Sequence, residues 1–151
     1  MSAIVIHSDA WHAERRLGIG GSDAPTIVSG VWQKLWETKT GRREPDDLSD
    51  ILAVQMGSFT EPLNVAWFEK NTGMFVTIPG EPQIHAEHKF MRANFDGLVG
   101  NDPLQCKHTN HFATLEEIAS RYYAQLQHEI AVAGGEKSYL SVFFGNNRWE
   151  W

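Results

Sequence analysis

Cysteine is almost missing from this chain. Cys106 is alone among 151 residues, so no internal disulfide can staple the fold, which fits a reducing cytoplasm. No apolar run reaches the roughly 20 residues that a membrane-spanning helix needs. The N-terminus has neither the basic flank nor the apolar stretch of a secretory signal. Positive charge is also scarce: 13 Lys and Arg face 19 Asp and Glu, for a net charge of −6. That balance argues against a protein that simply coats nucleic-acid phosphates. It is compatible with a site that gathers carboxylates, and a local basic track from Arg15, Arg16, Lys34, Arg42 and Arg43 remains available. Internal repeats, low-complexity segments and linkers are absent too, so one domain is expected. What is present is ordinary for a globular domain, with 42% hydrophobic and 11% aromatic residues, enough for a full core.

The first half of the chain reads as helical. Residues 3–7 form a short candidate strand. Ser8-Asp9 then makes an N-cap for a helix over 9–17. A Gly18-Ile19-Gly20-Gly21-Ser22-Asp23 turn enters a second helix that runs to about Val28. The spacing of Trp32, Leu35 and Trp36 predicts a helix over 31–40 with a stop at Gly41, and these tryptophans, like Trp67, read as core. Residues 47–72 are largely helical, with local interruptions expected at Gly57 and Pro62, so that Glu61 would open an apolar helix ending at Gly73. The pattern then becomes strand-like at 74–78, 83–85, 89–93, 97–99 and 104–107. A strong helix spans 115–133, starting near Ala113 or Thr114 and stopping at Gly134-Gly135. A strand at 139–144, a Gly145-Asn146-Asn147 turn and a partner strand from Arg148 close the chain. Helices, a mixed meander, a helix and a hairpin together predict an α/β (α+β) sandwich with a central mixed sheet flanked by helices.

The most informative stretch is Asp96-Gly97-Leu98-Val99-Gly100-Asn101-Asp102-Pro103-Leu104-Gln105-Cys106-Lys107. Asp102-Pro103 reads as the turn of a hairpin, because proline cannot continue a ladder. Strand alternation puts Gln105 and Lys107 on one face and Cys106 on the other. Asp96 would then sit beside that face. Mg²⁺ takes oxygen ligands, commonly one or two carboxylates with phosphate and water, and a neighbouring lysine can stabilise developing phosphate charge. The stretch looks like the metal-binding core of a nuclease with glutamine in place of one acid; taken alone it is a weak signal, since Asp-Gly is a common turn and x-Lys ends many exposed strands.

Other segments add to it. In Trp11-His12-Ala13-Glu14-Arg15-Arg16 and the glycine turn, free backbone N–H groups entering a helix would face an anion. Ser22 would add a hydroxyl, and Arg16 would fork onto phosphate. Taken alone the same segment is a plain helix cap, and it lacks the spacing of a dinucleotide fingerprint. Glu61 alone would be a capping or solvated charge; beside Asp96 it becomes a candidate metal ligand. Ile118, Tyr122, Leu126 and Ile130 form a core stripe, leaving Gln125 or Gln127 to line a cleft. Arg92, just before Asp96, would meet a carboxylate or a phosphate. Cys106-x-His108-x-x-His111 has no regularly spaced fourth ligand, which argues against zinc.

The ordered set W-H-x(3)-R-L-G-I-G-G-S-D, G-x(3)-E-P, W-F-E, M-R-A-N-x-D-G, x-C-K and Y-x-A-Q-x-Q-H resembles the phage lambda-type exonucleases and YqaJ-like viral recombinases of the PD-(D/E)XK nuclease superfamily. The resemblance runs from Trp11 to about His128. It implies a restriction-endonuclease-like core in a single nuclease domain over 1–151, complete or cut short at its C-terminus. It implies Mg²⁺, with Mn²⁺ as a substitute, held by Asp96, Gln105 and Glu61. Lys107 would be the catalytic lysine and Gln125 the helix glutamine of the site. Arg16 and Ser22 would grip a 5′-phosphate, with Arg92 also on the DNA. The implied activity is 5′-phosphate-directed digestion of linear duplex DNA in phage recombination, in the cytoplasm of an infected or prophage-bearing bacterium. A single-strand annealing protein is an implied partner. Assembly is open between monomer and ring-like homo-oligomer. Gln105 stands where this family carries glutamate, which implies impaired turnover or a non-catalytic DNA-binding protein.

Overall fold

Thr114 starts the best-defined helix. Its hydroxyl accepts from the Glu117 N–H while the Glu117 carboxylate accepts from the Thr114 N–H, a reciprocal cap that satisfies two orphan donors. Glu116 and Glu117 add negative charge to the first turn, where the helix dipole favours it. Gly134, at φ 69°, ends the helix in the left-handed conformation that suits glycine. The computed structural model describes residues 8–151, and the strand expected at 3–7 lies outside them.

Five helices and six strands are described: α1 (Asp9–Arg16), α2 (Ala24–Val28), α3 (Gln33–Lys39), α4 (Leu52–Thr72), β1 (Gln83–Ile84), β2 (Arg92–Ala93), β3 (Gly97–Val99), β4 (Asp102–Thr109), α5 (Leu115–Ala133), β5 (Tyr139–Phe144) and β6 (Arg148–Glu150). The main sheet has the order β3-β4-β5-β6. Its β4–β5 pair is parallel and the two outer pairs are antiparallel. Helix α5 makes the β4–β5 crossover, since parallel neighbours need one. A separate β1–β2 ribbon flanks it.

The two faces of β4 divide the core. Leu104 and Cys106 pack with Val65 and Phe68 of α4 and with Val76. On the other face, Val142 and Phe144 of β5 pack under Ile118 and Tyr122 of α5. The expected sandwich of a mixed sheet between helices is therefore the architecture found. Cys106 lies in the α4-side core, and its thiol pKa is raised well above the usual range by burial.

Several local expectations are corrected. Asp102-Pro103 is not the turn: both residues lie inside β4, and the turn is at Gly100, φ 64°. The reason is in the ladder. Leu98 exchanges both of its backbone hydrogen bonds with Thr77, so its polar groups point away from β4. The opposed Leu98–Pro103 pair is therefore a non-hydrogen-bonded pair, and the missing proline N–H leaves no gap there. Helix α4 runs unbroken through Gly57 and Pro62. A mid-helix proline costs about 3 kcal/mol, but Asn64, Val65 and Phe68 anchor the following turn against the sheet. The helix begins at Leu52 rather than 47, because the Asp47 carboxylate accepts from the Ser49 N–H and holds a competing turn. The stretch 74–78 contributes only the Thr77–Leu98 bridge. Its Val76 N–H is taken by the Glu69 carboxylate instead of a strand. Trp32, Trp36 and Trp67 are not core: they are 53%, 45% and 40% exposed. Trp36 and Trp67 serve as platforms for Arg42 and Lys70.

The glycine turn is stitched to β2 by Ile19 N–H to Phe90 C=O and Arg92 N–H to Ile19 C=O. A Cβ on Gly18 would lie 2.4 Å from the Phe90 carbonyl oxygen. Gly18→Ala should therefore destabilise by about 1–3 kcal/mol, read as a lower urea midpoint at unchanged slope.

Candidate active site

Asp96 leaves the ribbon just before β3, where the β3–β4 hairpin folds it back over β4. Its Oδ2 accepts from the Cys106 backbone N–H at 2.7 Å and from the Gln105 side-chain amide. Burial raises its pKa, opposed by the Cys106 N–H, the Lys107 charge and the Gln105 amide. Strand alternation places Gln105 and Lys107 on the α5 face as expected. Gln105 is 4% exposed, and its Oε1 accepts from Gln125 Nε2 at 2.5 Å. Lys107 Nζ lies 4.5 Å from the ring centroid of Tyr122. Tyr122 is thus more than the core residue its helical spacing suggests: it packs against Ile118, Val142 and Phe144, and its ring carries the lysine.

Glu61 occupies the middle of α4 and not the start of a helix, which removes the capping explanation for it. It is open to solvent on the helix surface, yet its surroundings raise its pKa to about 7. Desolvation is the main cause, the Asp96 charge adds to it, and Lys107 opposes it. Asp96, Gln105, Lys107, Glu61 and Gln125 therefore belong to one electrostatically linked site.

One member escaped the sequence reading. Glu129 of α5 is 2% exposed. Its Oε1 accepts from Gln125 Nε2 at 2.8 Å, and its Oε2 has no hydrogen-bond partner among the described residues. Desolvation raises its pKa to about 7, opposed by the Gln125 hydrogen bond. A glutamate one helical turn after Gln125, in an otherwise apolar run, was the available signal.

The candidate phosphate grip is arranged differently from expectation. Arg15, not Arg16, donates to Ser22 Oγ at 2.9 Å. Arg16 is exposed, has no ion pair among the described residues, and lines an open cleft of about 960 Å³ together with Ser22, Arg15 and Lys39. The Gly20 N–H is not free for an anion, because the Asp23 carboxylate accepts it at 2.8 Å. Asp23 is buried and also pairs with Lys39 at 2.6 Å and Arg15 at 3.3 Å. An internal carboxylate thus holds the anion position of the turn. Arg92 pairs with Glu14 of α1 at 2.5 Å, so it meets a carboxylate in the neighbouring turn region and not at Asp96. The expected basic track is largely neutralised as well, since Lys34 and Arg43 both pair with Asp46.

Among the described residues no three His, Cys, Asp or Glu side chains converge as a metal cluster. His108 engages both ring nitrogens, with Thr60 and the Gly145 carbonyl. The donor set at Asp96 still fits Mg²⁺. Asp96 and Glu61 supply two hard carboxylates whose pKa values are raised chiefly by desolvation, a cost that a bound cation offsets. Mg²⁺ commonly takes no more than two such ligands. Gln105 offers a neutral carbonyl oxygen that now faces Gln125.

Residues 10–136 match the YqaJ-like viral recombinase domain. The chain belongs to the YqaJ-like viral recombinase family. Its relative YqaJ of Bacillus subtilis (strain 168), an uncharacterized protein, is 36% identical over 155 residues, covering 95% of this chain and 48% of the relative. The chain thus spans about half the length of that relative. In fold, this family member is similar to the alkaline exonuclease LHK-Exo of Laribacter hongkongensis, with TM-score 0.72 and 21% identity over 91% of this chain and 74% of that one. The structure of LHK-Exo in complex with dAMP aligns with TM-score 0.71 and 24% identity, over 89% and 73%. All of the site residues named above lie inside the matched family domain. No helix among the described residues is long and apolar enough to cross a membrane.

Proposed function

We propose that this YqaJ-family chain is a Mg²⁺-dependent DNA nuclease, acting from 5′-phosphorylated ends of linear duplex DNA, with turnover lowered by Gln105. The observation that carries the reading is the convergence of Asp96, Gln105 and Lys107 on the β3–β4 hairpin beneath Gln125. The fold likeness to an alkaline exonuclease supports it. Bound Mg²⁺ would supply a Lewis acid and a more acidic water at neutral pH. Asp96 and Glu61 would hold it, the Gln105 oxygen could join them only on release from Gln125, and Mn²⁺ has the same ligand preferences. Lys107 places a positive charge where a phosphate oxygen gains negative charge in the transition state. Gln125 fixes the side chain at 105. Arg16 and Ser22, on the shared cleft, are the candidate contacts for the DNA end.

A second reading has its own observation. The Gln105 amide donates to Asp96, so one oxygen of the carboxylate that would hold metal is already taken by a side chain. That favours a DNA-binding protein on a nuclease fold without catalysis.

Linear duplex bearing 5′-phosphate, linear duplex bearing 5′-hydroxyl and closed circular duplex, each with Mg²⁺, separate these readings. Nucleotide release from the 5′-phosphorylated linear DNA, at least ten times faster than from the 5′-hydroxyl form, is expected. Cutting of the circle would make the protein an endonuclease, and binding of all three without cleavage would favour the non-catalytic reading.

A further inference from the structure

Glu129 has no place in the chemistry above, yet it is buried in contact with it. A buried carboxylate with one unpartnered oxygen is a poor choice for stability, and an apolar residue of similar size would suit the site better. Only Oε1 has a partner, and that partner is Gln125.

The polarity of the contacts gives the carboxylate a purpose. A glutamine amide can lie either way round, exchanging its donor and acceptor ends. The Gln125 NH₂ group has two hydrogens, and its two partners are Glu129 Oε1 at 2.8 Å and Gln105 Oε1 at 2.5 Å. Ionised, as Glu129 is above its raised pKa of about 7, a carboxylate only accepts. Turned over, Gln125 would set its own oxygen against that carboxylate. With Gln125 held as a donor, the side chain at 105 must present an oxygen to it. Gln105 then has its NH₂ left for Asp96, as found. Donor and acceptor ends alternate along Glu129, Gln125, Gln105 and Asp96, and the carboxylate of Glu129 decides the direction.

We propose that Glu129 is a positioning residue: it fixes the orientation of the Gln125 amide and, through Gln125, the orientation of residue 105 beside Asp96. Gln125 and Glu129 are one turn apart on α5, so their pairing is built into the helix. The glycine turn locks the arrangement from outside. A Cβ at Gly21 would come within 2.6 Å of Glu129 Oε1 and 3.3 Å of the Gln125 side chain, so glycine at 21 lets the turn close over the pair. The orientation itself does not depend on cleavage; only the kinetic consequence rests on the nuclease reading.

The test, at pH 8, compares Glu129→Gln, which keeps the size but can present its NH₂ as readily as its oxygen, with Glu129→Leu, which presents neither. Gly21→Ala displaces Oε1 from the other side and serves if Glu129→Leu does not fold. The first readout is the side-chain amide NMR signal of Gln105, assigned as the one lost in Gln105→Glu. It should shift in Glu129→Leu, in Gly21→Ala and in Glu129→Gln. The second readout is single-turnover cleavage of 5′-phosphorylated duplex in the Gln105→Glu background. Glu129→Leu should slow it at least tenfold and Glu129→Gln at least threefold, each with DNA affinity unchanged within twofold. An unmoved Gln105 signal in both Glu129→Leu and Gly21→Ala overturns the proposal. So does a Gln105 signal unmoved in Glu129→Gln, which would show that an acceptor-only side chain is not what sets the direction. If the Gln105→Glu parent does not cleave, the nuclease reading falls, while the amide signal still decides the role of Glu129.

Discussion

Gln105→Glu should lower the stability of the metal-free protein by about 2–4 kcal/mol and raise Mg²⁺-dependent cleavage at least tenfold. The Gln105 amide donates to Asp96 and accepts from Gln125. A carboxylate keeps the second contact and turns the first into a repulsion between two buried anions. The same repulsion is what a divalent cation relieves. Denaturation in EDTA and in Mg²⁺ separates the two effects. The substituted protein should gain far more stability from Mg²⁺ than the unaltered chain, because a ligand at free concentration L stabilises by RT ln(1 + L/Kd), which grows as the folded state binds it more tightly. Equal stability of both proteins in EDTA would show that the Gln105–Asp96 contact contributes little.

The second large effect is on pH. Glu129 is buried and its folded-state pKa is raised to about 7 from 4.5. Between those values the folded protein keeps a proton that the unfolded chain has released, so stability falls as pH rises through that window. At about 1.4 kcal/mol for each pH unit between the two values, the loss from this one group is about 3 kcal/mol. Asp96 shifts in the same direction and adds to the trend. Glu61 shifts likewise but is open to solvent, so its share is smaller. Urea unfolding at pH 5 and pH 8 reads the difference directly. Glu129→Gln should gain stability relative to the unaltered chain at pH 8 and not at pH 5. A protein that is more stable at pH 8, or a Glu129→Gln variant with the same slope, would contradict the assignment.

Legibility in the sequence followed the range of the interactions. The bounds of α5 and β5 were readable because their signals are local, namely the Thr114–Glu117 cap, Gly134, and a compact apolar strand. The placement of Asp96, Gln105 and Lys107 on one face followed from strand alternation. Pro103 misled because its tolerance depends on how Leu98 bonds to Thr77, a residue far away in sequence. Pro62 misled because the packing of Asn64, Val65 and Phe68 on the sheet outweighs a local helix penalty. Trp32 and Trp36 carry a helical spacing that does not say which face is covered, and that face is left to solvent. Arg15 and Arg16 are adjacent, and which of them reaches Ser22 depends on how α1 sits against the glycine turn. Glu129 was passed over because a glutamate in a helix is usually solvated, and the close approach of Gly21 to it is a tertiary contact.

The most direct test of the proposed chemistry is cleavage of 5′-phosphorylated linear duplex DNA with Mg²⁺ by the unaltered chain, by Gln105→Glu, and by Gln105→Glu combined with Lys107→Ala. Cleavage by Gln105→Glu at least tenfold above the unaltered chain is predicted, with a loss of roughly a hundredfold or more when Lys107 is removed. Failure of all three to cleave while they bind the DNA, or cleavage that survives the loss of Lys107, would contradict a nuclease site built on Asp96, residue 105 and Lys107.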